Sequence, residues 1–416
     1  MKKYDIIVVG AGPAGMMAAI RAAQLKSEML LIEKNNKLGQ KLLISGKGRC
    51  NITNIQELDR FISNFSSNGL FLRSAFARLF NTELIKFFEA KGLKVKTERG
   101  GRVFPSDDQA SSVLKALKLY LQENGVKIIY GNPVVDIKVG KNSEFSVELK
   151  NREIVKSKSL ILATGGLSYP LTGSTGEGFS FAKNLGHKIV DLRAGLVPLE
   201  VKEPWVKELQ GLSLKNVRIK FICGKKTIVS EIGEMLFTHF GVSGPLILEL
   251  SSAVVDWLKA RKDPVRLVID LKPGLDEEQL DKRLVRDFEN QGAKIYKNVL
   301  VEILPGKLID VFVRISGISQ NKKANQITQE ERRNILRLLK EFSLTLTKPR
   351  PIEEAIITRG GVSTREIDPR TMQSRLIKGL YFCGEIIDVD ALSGGYNLQA
   401  AFSTGFLAGE SASRGV

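Results

Sequence analysis

Three glycines near the start of the sequence have the spacing of a phosphate-binding turn. An apolar run at residues 4–9 leads directly into Gly10, Gly12 and Gly15, and small apolar residues follow them. This order predicts a strand, a tight turn and a helix, in which Gly12 lets a pyrophosphate approach the backbone. The N–H groups and the positive dipole end of the helix would face the phosphates. We therefore predict dinucleotide binding by Gly10, Gly12, Pro13, Ala14 and Gly15.

The next acidic residue narrows the choice of dinucleotide. A second apolar run, at residues 29–32, ends in Glu33, which lies 18 residues after Gly15. A carboxylate at this position binds ribose hydroxyls, and it would repel a 2′-phosphate. The pattern therefore favours FAD or NAD over NADP.

Two later segments indicate that the dinucleotide is a flavin. Residues 159–165 and 379–385 are apolar runs that end in glycine-bearing polar turns. Glu385 can accept hydrogen bonds from ribitol hydroxyls, and a helix opened by Gly395 can stabilise negative charge on a reduced isoalloxazine. The C-terminal segment is therefore expected to fold back onto the N-terminal domain. The further predicted cofactor contacts are Lys34, Val134, Val135, Ala163, Thr164, Gly165, Gly384, Glu385, Gly395, Tyr396, Asn397, Leu398 and Gln399.

A basic, glycine-containing loop lies between residues 34 and 56, with five Lys or Arg residues and no acidic residue. Its N–H groups and cations can cradle a pyrophosphate, and the alternative is a solvated loop. Neighbouring cations could lower the pKa of Cys50 and make it reactive, but a buried packing thiol explains this residue at least as well. The predicted cofactor contacts in this loop are Lys41, Gly48, Arg49, Cys50 and Asn51.

Residues 45–54, Ser-Gly-Lys-Gly-Arg-Cys-Asn-Ile-Thr-Asn, resemble the SGxGRCNxTN signature of the HI0933-like flavoproteins, also called BaiN-type NAD(P)/FAD-dependent oxidoreductases. Residues 101–105, 237–245, 358–362 and 384–399 resemble further blocks of the same family, so the resemblance spans almost the whole chain. It implies an α/β fold: a glutathione-reductase-like, Rossmann-type FAD-binding domain interrupted by an inserted domain. It also implies flavin redox chemistry on diverse substrates, and some members are linked to dihydrouridine formation in ribosomal RNA.

Four residues are candidates for catalysis: His239, Cys50, Arg102 and Arg359. His239 is one of two histidines, and its titration near neutral pH suits a proton donor beside a flavin. The alternative is a histidine that fixes a turn. Arg102 and Arg359 could hold an anionic or carbonyl substrate, or they could belong to structural ion pairs. Three widely separated cysteines and two histidines predict no metal site.

The cofactor segments predict two domains. A discontinuous FAD-binding domain is expected at residues 1–190 and 351–416, and an inserted domain at residues 191–350. The insert is expected to be mainly β and barrel-like over residues 191–273, and mainly helical over residues 274–340.

Two helix starts are predicted within the helical part of the insert. Asp276 precedes Leu280, Leu284 and Phe288, which share one helix face. Thr328 with Glu331 has the pattern of a capping box, in which each side chain binds the backbone of the other residue.

Charge is the most unusual feature of the composition. The chain has 63 Lys and Arg against 45 Asp and Glu, a net charge of +18, and residues 202–226 contain seven basic and two acidic residues. This balance suits an anionic partner without identifying one. No apolar run approaches the roughly 18 residues of a membrane span, and the first residues do not read as a secretory signal. A cytoplasmic protein without membrane association is therefore expected.

The primary functional hypothesis is hydride transfer between N5 of FAD and a substrate bound between the two domains, either a small enone, a carbonyl compound or an amine. NAD(P)H would serve as a transient reductant. No second glycine-rich strand–helix unit provides a separate nicotinamide domain. One alternative is reduction of a uridine in ribosomal RNA. The other is a non-catalytic, RNA- or ribosome-associated protein in which FAD is structural. The sequence thus leaves open whether the partner is a small molecule or RNA, and it predicts no oligomeric state.

Overall fold

The computed structural model describes residues 2–66, 68–140, 144–260 and 263–415. It divides into two compact units: one combines Met1–Arg193 with Ile356–Val416, and the other is Ala194–Ala355. Each unit has its own buried apolar core.

The helices and strands follow each other in mixed order along the chain. The strands are β1 (Lys2–Val9), β2 (Met29–Glu33), β3 (Thr53–Asn54), β4 (Val95–Glu98), β5 (Arg102–Pro105), β6 (Lys127–Tyr130), β7 (Val134–Val139), β8 (Phe145–Leu149), β9 (Ile154–Leu162), β10 (Ile189–Gly195), β11 (Leu199–Val201), β12 (Ser213–Cys223), β13 (Lys226–Val229), β14 (Gly233–Phe237), β15 (Gly241–Ser243), β16 (Val265–Asp270), β17 (Phe342–Pro349), β18 (Ile357–Val362) and β19 (Leu380–Phe382). The α-helices are α1 (Pro13–Gln24), α2 (Gln40–Ile44), α3 (Leu58–Ile62), α4 (Arg73–Arg78), α5 (Asn81–Glu89), α6 (Ala110–Glu123), α7 (Glu177–Asn184), α8 (Pro245–Ala260), α9 (Glu277–Asn290), α10 (Tyr296–Val299), α11 (Gly306–Ser316), α12 (Gln329–Lys340) and α13 (Tyr396–Arg414).

A mostly parallel sheet forms the centre of the first unit. Its strands lie in the order β6-β2-β1-β9-β8-β7, and β19 pairs with the C-terminal part of β9. Residues 6–9 of β1 are all buried, as expected for a strand that is covered on both faces. The register aligns Val9, Leu162 and Phe382, so the turns that follow β1, β9 and β19 meet at one edge of the sheet. We call this edge the carboxyl edge.

Helices α1 and α13 pack closely and in the same direction. A Cβ atom on Gly405 would overlap the carbonyl group of Ala14, and one on Gly409 would overlap that of Ala18. Both contacts advance by four residues, so the helices touch at successive turns. Because any side chain at these glycines would separate the helices, close contact requires glycine there.

The two helices are offset along their axes. Ala14 is the second residue of α1, whereas Gly405 is the tenth residue of α13. With a rise of 1.5 Å per residue, the N-terminus of α13 therefore extends about 12 Å past the N-terminus of α1.

A buried carboxylate fixes the other end of the same helix pair. The Glu410 side chain is 2% exposed. Its Oε1 accepts a hydrogen bond of 2.6 Å from Arg21 Nη2, and its Oε2 accepts bonds of 2.8 and 2.6 Å from Arg78 Nε and Nη2. Burial opposes ionisation of Glu410, but the two arginines outweigh it and lower the pKa of the carboxyl group.

Six antiparallel strands form a closed barrel in the second unit. They pair in the order β12-β14-β15-β11-β17-β16, and pairing of β12 with β16 closes the circuit. Strand β13 adds to β12 outside this circuit. Residues on β12 alternate between buried and exposed over most of its length, so one face packs into the core and the other faces solvent. The predicted fold class, a Rossmann-type α/β domain with a barrel-like and helical insert, is confirmed.

Both predicted helix starts in this unit are confirmed. Asp276 and Gln279 cap α9 reciprocally, and Leu280, Leu284 and Phe288 are its buried residues. Thr328 caps α12 together with Glu331.

Two elements of the second unit differ from the sequence expectation. Helix α8 lies inside the stretch expected to be mainly β, because its run Leu-Ile-Leu-Glu-Leu suits a buried strand as well as a helix. Strand β17 follows the helical stretch and pairs with both β11 and β16, so the barrel is completed by a segment distant in sequence. None of the helices in the described ranges is long and apolar enough to cross a membrane.

Replacement of Gly409 by Ala is expected to lower the free energy of unfolding by about 1–3 kcal/mol, because the new Cβ forces α13 away from α1. Chemical denaturation measures this change. Gly306→Ala is the matched control, since a Cβ at that position meets no atom within 4 Å. Equal stability of the two variants would contradict close packing at Gly409.

Replacement of Glu410 by Gln is expected to lower the free energy of unfolding by about 1–3 kcal/mol at pH 7, because it removes the buried carboxylate that binds Arg21, which is 24% exposed, and Arg78, which is 44% exposed. The folded-state pKa of Glu410 lies below its unfolded value. The stabilisation is therefore complete above the unfolded pKa of about 4.3 and is lost as pH falls through the folded pKa.

Unfolding curves of wild type and Glu410→Gln between pH 3 and pH 7 should therefore converge at the acid end. Glu278→Gln, which removes an exposed carboxylate paired with Lys282, is the control and should change little. A difference between wild type and Glu410→Gln that does not depend on pH would contradict the role of the charge.

Candidate cofactor site

The N-terminus of α1 is open to a ligand. Gly10 has a φ of 99°, and a Cβ at Gly15 would overlap its carbonyl group, so both glycines are required for the turn between β1 and α1. Gly12 is the N-cap residue, and no side chain caps this end of the helix. A Cβ at Gly12 would meet no atom within 4 Å. The first N–H groups of α1 therefore face open space that suits a phosphate.

Glu33 joins the turns that follow β1 and β2. It is 7% exposed. Its Oε2 accepts a hydrogen bond of 2.9 Å from the Ala11 N–H, and its Oε1 accepts one of 2.9 Å from the Asn35 N–H. Each carboxylate oxygen keeps further acceptor capacity, so Glu33 can also bind the ribose hydroxyls predicted for it.

The N-terminus of α13 is a second helix end without a side-chain cap. Its N-cap residue Gly395 has a φ of 95°, and no side chain caps the helix. A Cβ at Gly395 would lie 2.9 Å from Asn51 Oδ1. That oxygen is buried and has no hydrogen-bond partner. A buried acceptor without a partner costs about 1–3 kcal/mol, which a ligand N–H group would offset.

A second buried oxygen without a hydrogen-bond partner lies at the carboxyl edge. It is Oγ1 of Thr164, two residues after the end of β9. A Cβ at Gly178 of α7 would overlap it, and Gly165 follows it with a φ of 75°. Two helix ends without side-chain caps and two unsatisfied oxygens fit a ligand that carries both phosphate and ring N–H groups. FAD satisfies this requirement.

Glu385 and Lys41 form an ion pair in the same region. Lys41 Nζ donates to Glu385 Oε2 at 2.6 Å and to Ser168 Oγ at 2.6 Å. Glu385 Oε1 accepts a hydrogen bond of 2.8 Å from the Thr358 N–H. The structure therefore brings the two predicted cofactor contacts, Lys41 and Glu385, together. Their ion pair holds the turn that begins at Gly384.

The side chains at the start of α13 bind protein atoms. The Tyr396 hydroxyl donates to Gln56 Oε1 at 3.1 Å, and Asn397 Oδ1 accepts a bond of 2.9 Å from the Ala391 N–H. Gln399 is fully buried, and its Nε2 donates to the Leu79 carbonyl oxygen at 3.1 Å. Leu398 packs against the core. These side chains hold the N-terminus of α13 in place. The backbone N–H groups are therefore the part of this helix end that could bind a flavin.

Arg49 lies in an ion-pair network. Its Nη1 donates to Glu98 at 2.8 Å and to Asp108 at 3.3 Å, and its guanidinium stacks 4.1 Å from the centre of the Phe104 ring. The hydrogen bond to Glu98 raises the pKa of Arg49. In the structure this guanidinium is therefore bound by two carboxylates of the protein, whereas the sequence predicts that it contacts the cofactor. Lys34 is likewise engaged with Thr175 and Glu177.

Cys50 is a packing residue in the structure. It is fully buried, and burial raises the pKa of its thiol to about 12. The thiol therefore stays protonated at neutral pH, in contrast to the lowered pKa considered from the neighbouring cations. Gly48 precedes it with a φ of 84°, and Cys50 itself has a φ of 60°.

The remaining predicted residues occupy different places. Val134 is buried and Val135 is 49% exposed, at an irregularity in the pairing of β7 with β8. Arg102 is 44% exposed, and its Nε donates to the Arg99 carbonyl oxygen at 3.1 Å. Arg359 lies 3.6 Å from Asp390 and is 15% exposed.

The two histidines have different surroundings. His239 lies in the second unit, on an exposed turn between β14 and β15, beside the Phe240 ring. His187, in the first unit, is 3% exposed and bonds to Glu366 and Ser374, and burial lowers the pKa of its ring. Across the described residues, no group of three or more His, Cys, Asp or Glu could hold a metal ion.

Comparison with known proteins agrees with this geometry. Residues 4–411 match the family model described as HI0933-like protein Rossmann domain. The chain is 31% identical, over 97% of its length and 98% of the relative, to the 3-dehydro-bile acid delta(4,6)-reductase of Clostridium scindens. It is 32% identical, over the full length of both chains, to a protein of Haemophilus influenzae named ribosomal RNA dihydrouridine synthase.

A solved structure supports the fold. The 3-ketosteroid delta1-dehydrogenase of Sterolibacterium denitrificans superposes with a TM-score of 0.52, at 14% identity and over the full length of both chains. The family match supports FAD as the cofactor of the candidate site at the carboxyl edge. The chain therefore belongs to the HI0933-like family of FAD-dependent oxidoreductases.

Proposed function

We propose that the protein reduces a conjugated carbon–carbon double bond of a small enone, with FAD as the hydride carrier. The observation that supports this most directly is the pair of uncapped helix N-termini at the carboxyl edge. FAD, when bound and reduced, would supply a hydride from N5. The reduction adds this hydride to the β-carbon and a proton to the α-carbon of the enone.

The offset of α1 and α13 suits the two anionic regions of the cofactor. The N-terminus of α1 would bind the pyrophosphate, and the N-terminus of α13, about 12 Å further along, would face the pyrimidine part of the isoalloxazine. The positive end of α13 favours the negative charge of reduced flavin. The protein would therefore stabilise the reduced state of the cofactor, which is the state that donates a hydride.

The relative from Clostridium scindens favours the enone as the substrate class, since its name describes a reductase of a 3-dehydro-bile acid. A nicotinamide nucleotide is the proposed source of the hydride that regenerates reduced flavin. His239 stays the predicted proton donor.

A second candidate substrate is uridine in RNA. The double bond of uracil is conjugated to a carbonyl group, so the same hydride and proton additions would saturate it. The name of the Haemophilus influenzae relative and the exposed cations of the second unit favour this candidate. Its target base would have to be single-stranded or extruded from a helix.

Purified protein is expected to be yellow and, after anaerobic reduction, to be reoxidised by an enone. The measurement is the rise of flavin absorbance on rapid mixing with the enone, and a saturated ketone of the same skeleton is the control. Reoxidation by unmodified ribosomal RNA instead would select the second candidate. Protein without flavin, or reduced flavin that neither acceptor reoxidises, would overturn the proposed function.

Replacement of Gly12 by Ala is expected to weaken FAD binding at least about tenfold, which corresponds to about 1.4 kcal/mol. The added Cβ enters the open space at the helix end and touches no protein atom, so the melting temperature of the apoprotein should not change. Titration of apoprotein with FAD measures the affinity. Gly306→Ala is the control, and unchanged FAD affinity in Gly12→Ala would contradict phosphate binding at α1.

Replacement of Asn51 by Leu distinguishes a role of this residue in FAD binding from a role in the stability of the fold. It removes a buried oxygen that lacks a partner, so the apoprotein is expected to be no less stable while FAD binding weakens. Thermal unfolding with and without FAD measures both effects. A variant that loses stability in the apo state and keeps its FAD affinity would show that Asn51 serves the fold alone.

A further inference from the structure

The outward side of the barrel presents an exposed face across four strands. On β12, the outward residues include Arg218, Lys220 and Ile222, and the register places Arg266 of β16 directly opposite Ile222. The neighbouring strand β13 contributes Thr227 opposite Ile222. We call the outward residues of β12, β13, β16 and β17 the barrel wall.

Three cations lie close together on the barrel wall. Arg218 and Lys220 are two residues apart on one strand, which separates them by about 7 Å, and Arg266 lies diagonally across from Lys220 at about 7–8 Å. All three are exposed. Within the described ranges, none of them has a carboxylate within 4 Å, whereas most other strand cations, such as Lys156 and Lys348, have one.

Two acidic residues on or beside the barrel wall bind other groups. Asp270 lies opposite Arg218 in the register, but its carboxylate binds Lys340 at 2.6 Å and the Lys272 N–H at 2.9 Å. Glu203 accepts hydrogen bonds of 3.0 Å from the Thr345 N–H. The three wall cations therefore repel each other without an internal counter-charge, and an anionic partner would relieve this repulsion.

The other side chains of the barrel wall restrict the kind of anion. Hydroxyl groups of Thr227, Ser343 and Thr345 and the aliphatic side chains of Ile222, Val229 and Val268 lie among the cations. Ser, Thr, Lys and Arg are among the side chains that contact phosphate groups in nucleic-acid complexes. The outward residues of β12, β13, β16 and β17 include no aromatic side chain. Protein interfaces are enriched in aromatic anchors, and aromatic side chains are the platforms on which successive bases of a single strand stack. The wall therefore suits a phosphate backbone without base contacts.

We propose that the barrel wall binds the phosphate backbone of a nucleic acid independently of its base sequence. Arg218, Lys220 and Arg266 each neutralise a phosphate, and the flanking, exposed Lys215 extends the positive surface along β12. The proposal does not rest on flavin chemistry, since binding to this wall requires no bound FAD and no turnover. The barrel wall would bind nucleic acid in the same way whichever substrate the flavin reduces.

The test compares the full-length wild type with the triple variant Arg218→Ala, Lys220→Ala, Arg266→Ala. Fluorescence anisotropy with labelled single-stranded and hairpin RNA, and with DNA of the same length, is measured from 50 to 200 mM salt. Because each single-strand phosphate contact contributes about 0.7 to the slope of log affinity against log salt, the triple variant should lose about 2 from that slope. Scrambled sequences should bind equally well.

The matched control is the triple variant Lys86→Ala, Lys115→Ala, Lys118→Ala, which removes the same charge from exposed positions of the first unit. It should keep the wild-type slope, and both triple variants should keep the wild-type melting temperature and FAD affinity. Equal loss of RNA binding in both variants would assign the effect to net charge and overturn the proposal. Polyglutamate that competes as well as RNA of equal charge would also overturn it, in favour of an acidic protein partner.

Discussion

The close contact of α1 with α13 is the constraint on which the cofactor site depends. Glycines at positions 405 and 409 let the two helices approach until Cβ atoms would overlap backbone carbonyls. Parallel neighbours also align their dipoles, which is unfavourable unless packing or an anion offsets it. The contact between helix backbones and the buried Glu410 with its arginines supply part of that compensation, and an anionic cofactor bound at the N-termini would supply more. The same geometry that makes the apo pair electrostatically costly thus prepares it for a dianionic ligand.

Several features of this site are predictable from sequence because they are local. The glycine spacing of the first turn, the carboxylate that ends β2 and the glycines before α13 each specify a backbone conformation through neighbouring residues. The parallel register then brings the ends of β1, β9 and β19 to one edge, as the order of strand and helix implies. Capping boxes are local in the same sense, which is why the starts of α9 and α12 could be predicted.

Other features depend on residues far apart in the chain. The partners of Arg49 are Glu98 and Asp108, so the loop that lacks acidic residues in sequence is neutralised in the fold by another segment. Cys50 illustrates the same limit, because its pKa follows from complete burial and not from the cations beside it in sequence. The inward direction of Gln399 depends on Leu79 and Thr53, which no local pattern of α13 indicates.

The position of α13 has a consequence for biosynthesis. Strand β1 and helix α1 leave the ribosome well before helix α13, which comprises residues 396–414 and completes the candidate cofactor site. At a synthesis rate of about 5–20 residues per second, the N-terminal segment would wait on the order of tens of seconds for its partner. During that interval the groove against which α13 packs, with Ala14 and Ala18 at its base, is uncovered. The candidate cofactor site is therefore complete only once α13 has been synthesised, and until then the nascent chain has to keep an apolar groove from aggregating.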